Sequence, residues 1–367
     1  MTRTLRPLGL AVAFVFCLGL AQAEASGPRL VMVQMQSPLL DGFRHAQTFL
    51  HAQILLPESY DVAPTKRYPA LYVIHSLEED YRFSPEKLAS WQDALRHADL
   101  EMIVVALDAS LANGHHEFAD SANNGPWGAA LTRELIPELE KQFRINATRD
   151  ARFVTGHSSG GWSALWLQVN YPDEFGGAWS IAPDPVDFHD FTGPDLTRAP
   201  PQNFYRDPRG NPYGFVRRRG VDVTTLREFA QGDLGRAQFD SFDAVFSPRG
   251  EDGRPARLFD RRSGVIDGVV AGYWEEHYDL ARLIAGRWKE LGPKLQGRVH
   301  VVVGTEDTYH LEGSLKLFKA VLDGLGSDAE IVFAPGYDHM TIFRYDRGLL
   351  RHNLDQMKQQ LQREHIL

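Results

Sequence analysis

The sequence predicts an α/β domain, a mostly parallel central sheet with helices on both faces. Three observations point there. β-prone apolar runs alternate with segments of helical periodicity through most of the chain. Two of these runs, Leu71 to His75 and Met102 to Leu107, are continuous, as strands covered on both faces are. A short strand, Arg152 to Thr155, leads through a glycine-flanked serine directly into a helix, Gly161 to Val169.

The elements follow in order. Arg3 and Arg6, an apolar stretch from Leu8 to Leu20, and Ala21-Gln22-Ala23 make the charged, apolar and small-residue segments of a secretory signal over residues 1–23. The stretch is shorter than the roughly 20 apolar residues that a membrane span needs. The expectation is cleavage, no stable membrane insertion, and a mature catalytic domain over residues 24–367 that is secreted or periplasmic. The single cysteine, Cys17, falls in the removed segment, so no disulfide or thiolate chemistry is expected.

Leu30 to Met35 and Thr48 to Leu56 read as opening strands, followed by the two central ones. Leu131, Leu135, Leu139 and Phe143 recur at helical spacing. Ala178 to Ile181, Val299 to Val303 and Ala329 to Phe333 supply the later strands. Between Pro183 and Gly297 the rhythm breaks into Asp-, Arg-, Gly- and Pro-rich sequence, and Tyr273 to Leu291 turns helical again. Residues 184–297 are therefore an insertion, either a loose surface excursion or a cap over the functional site.

With 367 residues, 43% of them hydrophobic, the chain can bury a sizeable core. Its net charge of −9 becomes more negative once Arg3 and Arg6 leave. That sign repels phosphate backbones, and no nucleic-acid partner is expected.

Gly156-His157-Ser158-Ser159-Gly160 fits G-x-S-x-G between a strand and a helix, the context that gives this motif its chemistry. The turn pushes Ser158 into a strained backbone and projects its hydroxyl from the sheet edge. The helix N-terminus behind it favours an oxyanion. A serine hydroxyl needs a base, and the base needs an acid to hold its tautomer. In the chain order Ser, acid, His, two later loops qualify: Gly304-Thr305-Glu306-Asp307 and Gly336-Tyr337-Asp338-His339, each just past a strand. Asp307 is the expected acid, with Glu306 as the alternative. His339 is the expected base, with His310 as its rival. The expected oxyanion donors are the Ser159 N–H and the Leu77 N–H, with Ser76 as the alternative to Leu77. His115, His116 and Glu117 could suggest a metal, but adjacent histidines suit one ion poorly, and no metal or cofactor is expected.

These residues resemble the esterase D family of α/β-hydrolase-fold serine hydrolases, which includes S-formylglutathione hydrolases, feruloyl and acetylxylan esterases, enterochelin esterases and mycolyltransferases. The likeness runs from about Phe49 to Phe343. It rests on Arg67-Tyr68-Pro69-Ala70-Leu71-Tyr72-Val73-Ile74-His75, on Glu134-Leu135-Ile136-Pro137, on Gly156 to Trp162 with Tyr171-Pro172-Asp173-Glu174-Phe175, on Gly304-x-x-Asp307 and on Gly336-x-x-His339. The resemblance implies the triad Ser158, Asp307 and His339 and a leucine-type oxyanion donor, which Leu77 fits. One departure stands out: the family usually has His-Gly where this chain has His75-Ser76, and a left-handed backbone at Ser76 would be costly.

The expected activity is hydrolysis of a carboxylic ester through an acyl-enzyme, on a small-molecule or glycan-linked substrate. The alternatives are acyl transfer to a sugar or lipid alcohol by the same triad, and a binding module that kept the fold. Trp127, Trp162 and Tyr309 are the expected substrate-binding aromatics, with Tyr205, Tyr213, Phe215 and Trp274 of the insertion as further candidates.

Overall fold

The computed structural model describes residues 29–112 and 114–367, so residues 1–23 and Cys17 lie outside the described residues. Eight strands form the central sheet: β1 (Leu30–Gln36), β2 (Phe49–Leu55), β3 (Ala70–Ile74), β4 (Ile103–Leu107), β5 (Arg152–His157), β6 (Gly177–Ile181), β7 (Val299–Gly304) and β8 (Glu330–Ala334). They lie in the order β1-β2-β4-β3-β5-β6-β7-β8. β2 runs antiparallel to both neighbours, and every pairing from β4 to β8 is parallel. This is the α/β-hydrolase fold.

The chemistry of the strands explains the layering. Side chains alternate across a strand, so Tyr72 and Ile74 of β3 face one layer while Leu71 faces the other. The first layer contains the helix Ser159–Asn170 and the segment from Trp127 to Gln142, whose Leu131, Leu135 and Leu139 are fully buried. The second contains Pro85–Ala98 and Leu349–Arg363, where Leu354, Met357 and Leu361 meet Leu71, Val104, Phe153 and Trp179. From β3 the chain moves outward to β4, then returns to the other side of β3 as β5. The connections after β3 and β5 therefore diverge at one crevice, the place where open α/β sheets hold their ligands.

Residues 184–297 are packed rather than loose. They hold a hairpin (Gly214–Arg218 with Val221–Thr225) and five helices: Leu226–Gln231, Asp233–Phe246, Gly268–Tyr278, Leu280–Gly286 and Trp288–Leu295. Thr225 and Glu228 form a reciprocal capping box, and Asp267 and Asp279 cap the starts of Gly268–Tyr278 and Leu280–Gly286. Phe188, Phe191, Phe204, Phe242, Phe246 and Trp274 give the region an aromatic core. It joins the main core where Phe246 meets Trp162, 4.9 Å between ring centroids. Among the described residues no helix is long and apolar enough to cross a membrane.

Helix Ser159–Asn170 approaches the sheet so closely that a Cβ at Gly160 would lie 2.2 Å from the Ile74 carbonyl oxygen, and one at Gly156 would lie 2.2 Å from that of Gly160. Both obstacles are backbone. Gly160→Ala should therefore lower stability in urea denaturation by more than about 2 kcal/mol. Gly272→Ala, on an exposed helical turn with open space around it, should raise stability by about 0.5–1 kcal/mol. A Gly160→Ala protein as stable as the parent would contradict this packing.

Candidate active site

Ser158 is the residue between β5 and the helix Ser159–Asn170, at φ 56° and ψ −123°. Its N–H donates to the Ile181 carbonyl at 2.9 Å, and its own carbonyl accepts from the Trp162 N–H at 3.0 Å. Neighbouring strand and following helix thus fix a conformation that costs an L-residue of order 1–3 kcal/mol. Among the described residues the Ser158 hydroxyl has one hydrogen-bond partner, Asp184 Oδ1 at 3.5 Å.

The loops after β7 and β8 come together beside it. The Thr305 N–H donates to the Ala334 carbonyl and the Glu306 N–H to the Tyr337 carbonyl, at 2.9 and 3.0 Å. Gly304 makes this possible, because a Cβ there would lie 2.0 Å from the Tyr337 oxygen. Asp307 is fully buried: Oδ1 accepts from the Tyr309 N–H at 2.9 Å, and Oδ2 accepts from His339 Nδ1–H at 2.8 Å. That bond leaves His339 Nε2 as the basic nitrogen. Ser158 and His339 line one cavity of about 490 Å³.

The alternatives point elsewhere. The Glu306 carboxylate faces Gly220 of the hairpin. His310 Nε2 donates to Asp222 Oδ1 at 2.7 Å, and its Nδ1 meets Arg217. Asp338 accepts from the Met340 and Thr341 N–H groups and caps the turn after His339.

On the other side of Ser158, the Ser76 N–H donates to Glu79 Oε2 at 3.1 Å, while the Leu77 and Ser159 N–H groups meet no acceptor among the described residues. The left-handed residue of this loop is Glu78, φ 59°, not Ser76. The serine at the usual glycine position therefore carries no such strain, contrary to the expected cost.

Of the three expected substrate-binding aromatics, only Tyr309 faces the cavity, its ring edge-on to His339 with centroids 5.0 Å apart. Trp127 and Trp162 do not. Trp127 is buried and stacked on His116 at 3.8 Å. Trp162 is fully buried against Trp166 and Phe246. It lies one helical turn past Ser158, on a helix that is buried nearly all round, so its face is core. Of the further candidates, Phe215 lines the cavity. Tyr205 and Trp274 are buried in the insertion's own core, and the Tyr213 hydroxyl donates to Gln202. The rest of the aromatic wall comes from residues the sequence did not single out: Phe191, Phe229, Phe239 and Phe242 of the insertion, and Phe343.

Asp184, three residues past β6, was also missed. Its Oδ2 accepts from the Ser159 hydroxyl at 2.6 Å. Burial raises its carboxyl from the ordinary 3.8 to about 6, against the lowering effect of that hydrogen bond. Behind it, burial holds Glu117 well above the usual carboxylate range, with Asp184 adding to the rise. Glu117 Oε2 accepts from the Ser163 hydroxyl at 3.0 Å. His115 donates from Nε2 to the His75 carbonyl and accepts at Nδ1 from the Glu117 N–H, both at 3.0 Å. The Phe118 N–H donates to His116 Nδ1 at 3.1 Å, so all three side chains take part in the internal hydrogen bonding, with His116 Nε2 and Glu117 Oε1 left without a hydrogen-bond partner among the described residues. Among the described residues one group, Asp187, His189 and Asp279, brings metal-type donors within 4.8 Å. These too are engaged, His189 on Asp187 at 2.7 Å and Asp279 as a helix cap.

Comparison with known proteins decides the family. Residues 46–321 match the family described as "Putative esterase". The chain belongs to this esterase family. An esterase of Mycobacterium tuberculosis is 28% identical over 175 residues, 46% of this chain and 38% of that protein, so the chain spans well under half the length of this curated relative. Among solved structures, a ferulic acid esterase superposes with a TM-score of 0.56 at 15% identity, covering 91% of this chain and 98% of that one. An S-formylglutathione hydrolase from Agrobacterium tumefaciens superposes with a TM-score of 0.55 at 14% identity, covering 94% and 98%. At these identities the superpositions establish the fold.

The buried Asp184 makes a pH-dependent prediction. A carboxyl whose folded pKa lies above its unfolded one favours the folded state at low pH, and that advantage is lost as pH rises through the folded value. Between about pH 4 and pH 7, Asp184→Asn should gain about 2–3 kcal/mol of stability relative to the parent. Urea titrations at the two pH values measure this, and a pH-independent difference would contradict it.

Proposed function

We propose that the protein is an exported serine esterase that hydrolyses carboxylic esters through an acyl-enzyme on Ser158. The observation that carries the reading is the 2.8 Å Asp307–His339 pair, whose imidazole lines the same cavity as a serine on a strained strand-to-helix turn. The proposed reaction requires the Ser158 hydroxyl to turn from Asp184 toward His339 Nε2 across the cavity they share. Catalytic hydrogen bonds often form fully only with substrate bound.

In the proposed reaction His339 takes the Ser158 proton as the oxygen attacks the ester carbonyl. Asp307 stabilises the imidazolium, and the free N–H groups of Leu77 and Ser159 receive the oxyanion. His339 then protonates the leaving alcohol. Water, deprotonated by the same imidazole, releases the acid.

The surroundings support a substrate with two unlike halves. The walls around Ser158 are aromatic, carry Glu78, Glu79 and Asp184, and include no lysine or arginine among the described residues. They suit an apolar, uncharged acyl group. At Leu77 to Glu79 this cavity meets an open cleft of about 1000 Å³, whose lining includes Asp108, Ser110, Asp240, Arg254 and Arg257. Such a surface suits a polar alcohol, such as a sugar of a glycan-linked ester. The signal-like residues 1–23 support secretion or export to a periplasm.

Two kinetic tests follow. Ser158→Ala should abolish turnover. Asp307→Asn should lower kcat by about 10⁴, whereas Glu306→Gln should leave it near the parental value. A damaging Glu306→Gln would move the acid. In the second test, neutral butyryl or aryl esters should exceed hemisuccinyl esters of the same alcohol in kcat/KM by at least about tenfold, from like-charge exclusion. Equal rates would contradict the acyl-site reading.

A further inference from the structure

The second residue of the serine pentapeptide, His157, makes contacts that the reaction above does not use. β5 ends at His157, and alternation puts its side chain on the face opposite the helix that follows Ser158. There the ring sits between the two loops that flank the serine. Its Nε2–H donates to the backbone carbonyl of His339 at 3.0 Å. Its Nδ1 lies 3.0 Å from the Ser76 hydroxyl, which is also 3.0 Å from the His157 carbonyl. The ring packs on His339 and Phe343, with centroids 4.3 and 4.8 Å away.

We propose that His157 is a positioning residue, a neutral imidazole that ties the loop bearing the Leu77 donor to the loop bearing His339. The inference rests on the proposed esterase reaction. A neutral imidazole has one donor and one acceptor at opposite ends of a rigid ring. Here the donor is used by the His339 loop, and the acceptor, which shares the single Ser76 hydroxyl proton with the residue 157 carbonyl, by the Ser76 loop; the two loops are joined to β3 and β8 on either side of β5. Burial, with His339 beside it, pushes the ring's proton affinity down to a pKa of about 3, so it stays neutral through the working range. The arrangement also gives a purpose to Ser76 where the family usually has glycine: its hydroxyl is the near end of the tie, and its N–H is held by Glu79, itself 2.5 Å from Lys87. The Leu77 N–H and the His339 imidazole act on opposite sides of the reacting carbonyl, so slack between them misplaces one or the other. Misplacement of about 1 Å costs roughly 10²-fold in rate.

The test compares His157→Phe, which keeps a ring, His157→Gln, which keeps a donor and an acceptor, and Ser76→Ala. The expected result for His157→Phe is a folded protein whose kcat falls roughly 10–100-fold with KM little changed. The acid limb of its kcat–pH profile, which reports the base, should be displaced. His157→Gln should recover most of the loss. Ser76→Ala should show a smaller loss, and the double variant should lose less than the product of the two single losses, because both weaken one tie and only the Ser76 bond to the residue 157 carbonyl is left in His157→Phe. Parental kcat in folded His157→Phe, or losses that multiply in the double variant, would overturn the proposal. If His157→Phe does not fold, Ser76→Ala decides alone: a reduced kcat supports the tie and an unchanged one ends it. Parent and Ser158→Ala are assayed alongside, since a parent without Ser158-dependent turnover would instead remove the reaction on which the inference rests.

Discussion

The left-handed turn at Ser158 depends on glycine. Backbone oxygens stand 2.2 Å from where side chains of residues 156 and 160 would begin, so strand, turn and helix can be this close only without them. That contact sets the helix N-terminus against the C-terminal ends of β3 and β5, and it holds Ser158 at a positive φ that its own side chain disfavours. The other groups of the site are arranged around this point. The Leu77 loop leaves β3 next to it, Asp184 follows β6, Asp307 follows β7 and His339 follows β8. Gly304 has the same role farther along the sheet, allowing the β7 and β8 loops to close on each other.

Two carboxyls near Ser158 occupy different surroundings. Asp307 accepts from an imidazole N–H and a backbone N–H. Asp184, buried as well, accepts from hydroxyl groups, and its burial raises its pKa above the ordinary aspartate value. In the proposed mechanism the first balances the imidazolium. The second braces Ser159, whose N–H is one of the two free donors. The difference follows from which loop each acid ends up in, since both are aspartates just past a parallel strand.

Much of this was legible in the sequence because it is written in local patterns. Continuous apolar runs such as Ile103–Leu107 can be satisfied only in a covered parallel sheet. Gly156 and Gly160 around Ser158 announce a close backbone approach. Gly304 and Gly336 mark where β-prone runs turn toward Asp307 and His339, which the structure brings to 2.8 Å. What depends on side-chain direction was not legible. Trp127 and Trp162 are aromatic residues of the right type on faces that happen to be core, whereas Phe229 and Phe239 sit on helices hidden in Gly- and Pro-rich sequence. The Thr225-x-x-Glu228 cap was a local sign of one of those helices. Asp184 could have been found by applying to β6 the rule that located Asp307 after β7. The contacts of Ser76 and His157 span 81 residues, and no local pattern reports them.

The central claim is that folding alone makes one serine hydroxyl of this chain nucleophilic. The direct measurement is reaction of the native protein with a fluorophosphonate, followed by peptide mass mapping, with urea-unfolded protein and Asp307→Asn alongside. The account predicts a single adduct on Ser158 that forms rapidly in the native parent, slowly in Asp307→Asn and not at all after unfolding. A native protein that stays unlabelled, or an adduct on another residue, would contradict it.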